Sequence, residues 1–124
     1  MYCQTLENSN ALRTVVLKNC QVNPSAIKKN FKSAMLGLKY LSFFTFKGIQ
    51  SDNLDWTLIV QACIENMKIS ELFHLDLGQN GMKLENLAPL MKFLRETIKI
   101  YDLLITTIHL GNNDFTAKEV QALL

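Results

Sequence analysis

Residues 72–82 read LFHLDLGQNGM, and their apolar residues and asparagine follow the spacing L-x-x-L-x-L-x-x-N/C-x-L. Three other stretches of the chain follow the same spacing, one of them incompletely. The anchor residues of the four stretches are Leu12/Val15/Leu17/Cys20/Val22, Leu38/Leu41/Phe43, Leu72/Leu75/Leu77/Asn80/Met82 and Ile105/Ile108/Leu110/Asn113/Phe115. A unit this short cannot bury its apolar face alone, so successive units must stack on one another. The sequence therefore predicts one repeat domain over residues 1–124, with units near 12–37, 38–71, 72–104 and 105–124.

Each unit combines a strand pattern with a helix pattern. Apolar residues two apart, such as Leu75 and Leu77, point to one face of a short strand. Apolar residues at helical spacing follow each strand, and in the first unit they come after the helix-start signal Asn23-Pro24. Because strands and helices alternate, we expect an α/β fold with parallel strands. A doubly wound sheet would share this order, but no glycine-rich phosphate loop follows any of the strand patterns.

The ninth position of the repeat is predicted to be a structural turn position, occupied by Cys20, Asn80 and Asn113. The chain turns sharply there, so a small side chain is needed that can pair with buried backbone groups. Asparagine meets both requirements, and cysteine is a small substitute with weak polar capacity. In the second unit Phe46 stands at this position, which predicts an irregular turn.

These segments resemble the leucine-rich-repeat proteins, of the long-repeat type found in ribonuclease inhibitor. The matching segments are LRTVVLKNCQV, LFHLDLGQNGM and ITTIHLGNNDF, with LKYLSFFTFKGI as a degenerate fourth. The resemblance implies a solenoid with short parallel strands on its concave face and α-helices on its convex face. Members of the family are mostly protein-binding modules, including inhibitors, innate-immune sensors and bacterial effectors, and they make their contacts on the concave face. No catalytic, nucleotide-binding or ubiquitin-ligase signature accompanies the repeats.

Composition excludes several other classes of function. A net charge of +2 and scattered lysines are not typical of a nucleic-acid-binding protein. No stretch approaches the roughly 20 apolar residues of a membrane span, and residues 1–7 do not resemble a secretory signal. Three cysteines without a C-x-x-C pair favour reduced thiols. We expect a cytoplasmic protein, in the host cytosol if it is a secreted effector, that needs no cofactor and binds neither nucleic acid nor membrane.

The concave strands of such a domain predict where a partner protein would bind. The candidate residues are Tyr40, Ser42, Phe44, His74, Asp76, Thr107 and His109. Tyr40 and Phe44 are aromatic residues of the kind that anchor interfaces, although Phe44 could instead pack beneath an irregular turn of its own unit. His74, Asp76 and His109 fall on adjacent strands, so they could hold a transition metal or simply orient a surface histidine. No motif such as H-E-x-x-H supports the metal alternative.

The sequence thus predicts a non-enzymatic protein–protein interaction module whose partner it does not identify. The alternative is a structural or oligomerising segment of a larger repeat protein or secreted bacterial effector. That alternative predicts end-to-end self-association, because neither end of the repeat carries the polar cap that a solenoid needs. A metal-dependent enzyme using the two histidines and Asp76 is the third and weakest hypothesis.

Overall fold

A computed structural model describes residues 12–100 and 107–123. Strands and helices alternate along the chain. They are β1 (Thr14–Lys18), α1 (Pro24–Gly37), β2 (Phe43–Lys47), α2 (Trp56–Met67), β3 (His74–Asp76), α3 (Leu84–Ile100), β4 (Thr107–His109) and α4 (Ala117–Leu123). We refer to each strand with the helix that follows it as a unit. The prediction of an α/β fold with parallel strands is confirmed.

The four strands form one parallel sheet in the order β1-β2-β3-β4. Each helix packs on the next helix in the chain, so that contacts between elements connect consecutive units. The ladder of backbone hydrogen bonds continues past the strands, since the amides of Asn19, Gly48 and Gln79 donate to the carbonyls of Lys47, Gly78 and Gly111. Sheet and helices thus extend unit by unit in chain order.

The predicted frame of the second unit is wrong by three residues. Val15 lies opposite Phe44 in the sheet, not opposite Leu41 as the predicted anchors require. The second unit therefore begins its apolar spacing at Leu41, and Leu38 instead caps the end of α1. Phe46 is consequently a core anchor of β2, and Ile49 occupies the turn position predicted for Phe46.

Aromatic packing explains the observed frame. Phe31 of α1 lies 6.4 Å from Phe44 and 5.6 Å from Phe46, measured between ring centroids. Trp56 meets Phe46 edge-on at 5.8 Å from the α2 side. The rings of Phe44 and Phe46 are fully buried between sheet and helices, and burying such rings stabilises this frame over one that exposes them.

Local capping residues fix the ends of the helices. The side chain of Asn23 accepts hydrogen bonds from the amides of Ser25 and Ala26 at the start of α1. Thr116 and Glu119 exchange hydrogen bonds in a capping box before α4. At α2 the capping residue is Asp55.

One buried polar side chain in the helix layer was not predicted. Asn66 of α2 is fully buried, and its amide donates to the carbonyls of Met35 and Leu38 at 2.8 and 3.0 Å. Its side-chain oxygen accepts the hydroxyl of Ser70 at 2.8 Å. Asn66 therefore gives a second hydrogen bond to two carbonyls at the end of α1, which also accept the backbone amides of Leu38 and Leu41.

Within residues 12–100 and 107–123, no helix combines the length and the apolar character needed to cross a lipid bilayer. Ile105, the predicted first anchor of the fourth unit, lies outside the described residues.

Candidate functional site

Alternate residues of the strands form a face that points away from the core. In a strand, neighbouring side chains point to opposite sides. Val15, Phe44 and Leu75 point into the core, so their neighbours point to the other side, where the exposed fraction is 2% at Thr45 and 48% at Val16. This exposed side contains a pocket of about 530 Å³. The described residues that line the pocket all belong to strands or to the turns that follow them: Val16, Lys18, Phe43, Thr45, Lys47, His74, Asp76, Gly78, Gln79, His109, Gly111 and Asn112. We call these residues the open face.

The structure brings three of the predicted site residues together on the open face. Asp76 lies opposite His109 in the sheet, and His74 lies opposite Thr107. The rings of His74 and His109 are 5.2 Å apart between centroids. Thr107 is half-buried beside them in β4 and is not among the residues that line the pocket.

The placement of Phe44 at a binding surface is wrong. Phe44 lies on the core side of β2 and is fully buried, so it cannot contact a partner in the folded protein. The cause is the shift in frame of the second unit. The alternative, that Phe44 packs beneath an irregular turn of its own unit, is right about its burial but wrong about the turn, because Gly48 has the same left-handed conformation as the equivalent residues of the other units.

Tyr40 and Ser42 precede β2 and are not among the described residues that line the pocket. Tyr40 is 58% exposed, with the Arg13 guanidinium 5.9 Å from its ring centroid. The Ser42 hydroxyl donates to the carbonyl of Arg13 at 3.2 Å, which ties the start of β2 to the start of β1.

Phe43, Thr45 and Lys47 take the places on the open face that the sequence predicts for Tyr40, Ser42 and Phe44. The ring of Phe43 stacks on His74 at 4.0 Å between centroids, with 3° between the planes. The alternation of side chains in β2 is visible in the sequence, but the register of β2 against β1 is not. Only the correct register would have placed these three residues on the open face.

Asp76 is the one carboxylate among the described residues that line the pocket. It is only 9% exposed. Its Oδ1 accepts the amide of Gly78 at 3.0 Å, and its Oδ2 lies 3.8 Å from the Lys47 Nζ. Both oxygens are therefore engaged within the protein, and Asp76 acts mainly to position the turn after β3 and the Lys47 side chain.

Asparagine amides organise the edge of the sheet next to the pocket. The Asn80 amide donates to the carbonyls of Phe46 and Leu77 at 2.7 and 3.0 Å, and its oxygen accepts the amide of Ile49 at 2.9 Å. Asn80 thus joins its own unit to the preceding one.

Asn113 makes the equivalent contacts one unit later. Its amide donates to the carbonyls of Leu77 and Leu110, and its oxygen accepts the amides of Asn80 and Met82, at 2.9 to 3.0 Å. At the corresponding position of the first unit, Cys20 is a half-buried free thiol.

The turn before each of these positions has the same backbone conformation in all four units. Asn19, Gly48, Gln79 and Asn112 have φ values of 52°, 64°, 57° and 57°. This left-handed conformation is readily adopted by glycine and asparagine but is uncommon for glutamine. Four equivalent turns place their side chains and backbone along one edge of the open face.

Cys63 is fully buried, and loss of solvation raises the pKa of its thiol to about 12, so it stays a neutral thiol at physiological pH. Within residues 12–100 and 107–123, no group of three His, Cys, Asp or Glu side chains is arranged to hold a metal ion. His74, Asp76 and His109 lie close together without forming such a group.

No family model, curated protein or solved structure matches this chain.

Proposed function

We propose that this chain is a leucine-rich-repeat protein of the long-repeat type, in which four units stack in chain order into a short solenoid. Three observations support the proposal. The anchors Val15, Phe44, Leu75 and Ile108 are in register across the sheet. The left-handed turn recurs at the same place in every unit. The turn amide of Asn80 links its own unit to the preceding one.

Duplication of a unit tests this proposal. Stacked repeats gain stability with each added interface, because every unit contacts only its neighbours. A chain in which residues 43–73 are duplicated in tandem should unfold in urea in one cooperative transition, at a higher midpoint than the parent chain. A duplicated segment that stays unfolded, as shown by unchanged helical circular dichroism per molecule, would contradict the solenoid.

We further propose that the domain is a non-enzymatic protein–protein interaction module that binds its partner on the open face. The observation that carries this proposal is that the open face contains a pocket lined by polar and aromatic side chains. The pocket spans residues of four adjacent strands, and at roughly 4.8 Å per strand the open face is about 14 Å wide. A surface of this width suits an extended segment of another protein.

Site-specific photo-crosslinking tests where the partner binds. A benzophenone amino acid replaces Val16, which is 48% exposed on the open face, or Ser33, which is exposed on α1. In lysate of the producing cells, the Val16 position should give a discrete crosslinked species that the Ser33 position does not give. The species should disappear when Gly111→Trp fills the pocket.

Other results of this experiment would count against the open face. Equal crosslinking from both positions would show that contact is not confined to it. Crosslinks from Ser33 alone, together with a dimeric mass by light scattering, would favour the alternative role as a linking or self-associating segment.

A further inference from the structure

The accessible charge on the open face is positive. Lys18 is exposed at the end of β1, and Lys47 lies at the equivalent position of β2 with its side chain 31% exposed. Asp76 is buried and already engaged by Lys47 and by the amide of Gly78. Lys18, Lys47 and Asp76 together carry one net positive charge, so a carboxylate of a partner would be attracted by Lys18 and by the Lys47 ammonium group, which is shared with Asp76.

The third and fourth units carry glycine where the first two carry these lysines. A Cβ at Gly78 would lie 3.0 Å from the carbonyl oxygen of Gly111, so the close approach of the two turns favours glycine at position 78. A Cβ at Gly111 would meet nothing within 4 Å. Packing therefore does not explain glycine at position 111, whose effect is to leave the pocket open.

Aromatic rings line the same pocket. Phe43 and His74 are stacked, and His109 lies next to His74 on the following strand. Three adjacent strands thus present ring surfaces in a row, and His109, at the end of this row, precedes Gly111 by two residues. Such rings favour an aromatic side chain of a partner in offset or edge contact.

We propose that the open face binds an acidic protein segment, which places a carboxylate against Lys18 and Lys47 and an aromatic side chain above Gly111. This inference rests on the proposed function and names the chemistry of the partner. The pocket volume of about 530 Å³ lies in the range of sites that enclose such groups. Nucleic acid is disfavoured, because two lysines and a central aspartate offer few phosphate contacts.

Selection from a phage-displayed library of random dodecapeptides tests the proposal with ligands of unbiased sequence. Peptides retained by the folded chain, but not by the Gly111→Trp variant, should be enriched in Asp or Glu together with Phe, Tyr or Trp. The best peptide is then synthesised with a fluorescein label and its affinity is measured by anisotropy. Its affinity should fall when salt is raised from 50 to 300 mM, because exposed charges are screened.

Charge reversal supplies the matched comparison. Lys18→Glu should lower the affinity for the peptide about five-fold, which is the effect of one exposed ion pair. Lys29→Glu makes the same change of charge on the exposed surface of α1 and should leave the affinity unchanged. Both lysines are exposed, so these variants stay informative even if Gly111→Trp unfolds the chain.

The outcomes separate the two proposals. Enriched peptides that lack acidic residues, yet depend on Gly111, would overturn the acidic segment and retain binding at the open face. Tighter binding of a labelled dodecathymidylate than of any peptide would replace the acidic segment by nucleic acid. A selection in which no peptide depends on the open face would overturn both the acidic segment and the proposed function.

Discussion

The side-chain hydrogen bonds that join the first and second units differ from those that join the later units. Between the second, third and fourth units, the amides of Asn80 and Asn113 bridge the turns at the edge of the sheet. Between the first and second units, the turn position is occupied by Ile49, whose side chain has no amide group. There Asn66 bridges the helices, and the Ser51 hydroxyl bonds both the amide and the carbonyl of Val22.

The difference shows that apolar spacing and polar bridging are separable. The described apolar anchors of all four units pack into one core, buried in the second and third units and mostly half-buried in the first and fourth. The polar group that joins two units, however, can come from a turn or from a helix. Where the turn has no side-chain amide, a helix side chain bonds the preceding unit instead, as Asn66 bonds the carbonyls of Met35 and Leu38. Each such bond adds to the stability of the contact between two units.

The largest expected effect is the loss of the helix bridge. Asn66→Ala removes the side-chain hydrogen bonds to the carbonyls of Met35 and Leu38, which keep only the backbone amides of Leu38 and Leu41 as donors, and it removes the partner of the Ser70 hydroxyl. We expect the free energy of unfolding to fall by about 3 kcal/mol in urea denaturation. Gln61→Ala on the exposed side of the same helix is the control and should change it by less than about 0.5 kcal/mol. If the two variants match, Asn66 does not carry the contact between the first two units.

Loss of a turn amide should be somewhat less severe. Asn80→Ala breaks three hydrogen bonds, but Asn80 is only half-buried, so water can reach some of the released groups. We expect a loss of about 2 kcal/mol. Asn30→Ala on α1 serves as the matched asparagine control. An unchanged urea midpoint for Asn80→Ala would refute the bridging role of this amide.

Cys63 lies on the same helix as Asn66, and the pKa of its thiol depends on how well water is excluded from the helix layer. Burial raises the pKa of its thiol from 9.0 to about 12, so above pH 9 the unfolded chain ionises and the folded chain does not. This contribution to stability is complete below pH 9 and declines as the pH rises towards 12, by about 1.4 kcal/mol at pH 10. The loss of stability between pH 8 and 10 should be smaller in Cys63→Val than in the parent chain. Equal slopes would mean that the thiolate is solvated in the folded protein.

The sequence predicted the alternation of strands and helices because both periodicities are local. It placed β3 and β4 correctly because Leu75 and Leu77 fit one frame only. It misplaced β2 because the run Phe43-Phe44-Thr45-Phe46 fits two frames. Only the contacts of Phe44 and Phe46 with Phe31 decide between them, and those contacts are distant in sequence.

Residues of the candidate site were predicted correctly only in the strands whose register was predicted correctly. His74, Asp76 and His109 come from strands whose register was right, whereas Phe43 and Lys47 come from the strand whose register was wrong. Asn66 could not be predicted from its helix, since its partners are carbonyls at the end of the preceding helix. Such partners are set by tertiary packing rather than by local spacing.

The smallest expected effect is at the turn between the first and second units. Ser51→Ala removes both hydrogen bonds to Val22, at 2.8 and 2.7 Å, but these groups are half-buried and near solvent. We expect a loss of about 1 kcal/mol in urea denaturation, while Ser33→Ala on the exposed surface of α1 should stay within about 0.5 kcal/mol. A loss for Ser51→Ala as large as that for Asn80→Ala would show that a single hydroxyl bridges two units as well as an amide. Ser51 and Asn80 are both half-buried, but Ser51 makes two of these hydrogen bonds and Asn80 makes three. Equal losses would therefore mean that the contribution of such a side chain to stability depends on its burial rather than on the number of its hydrogen bonds.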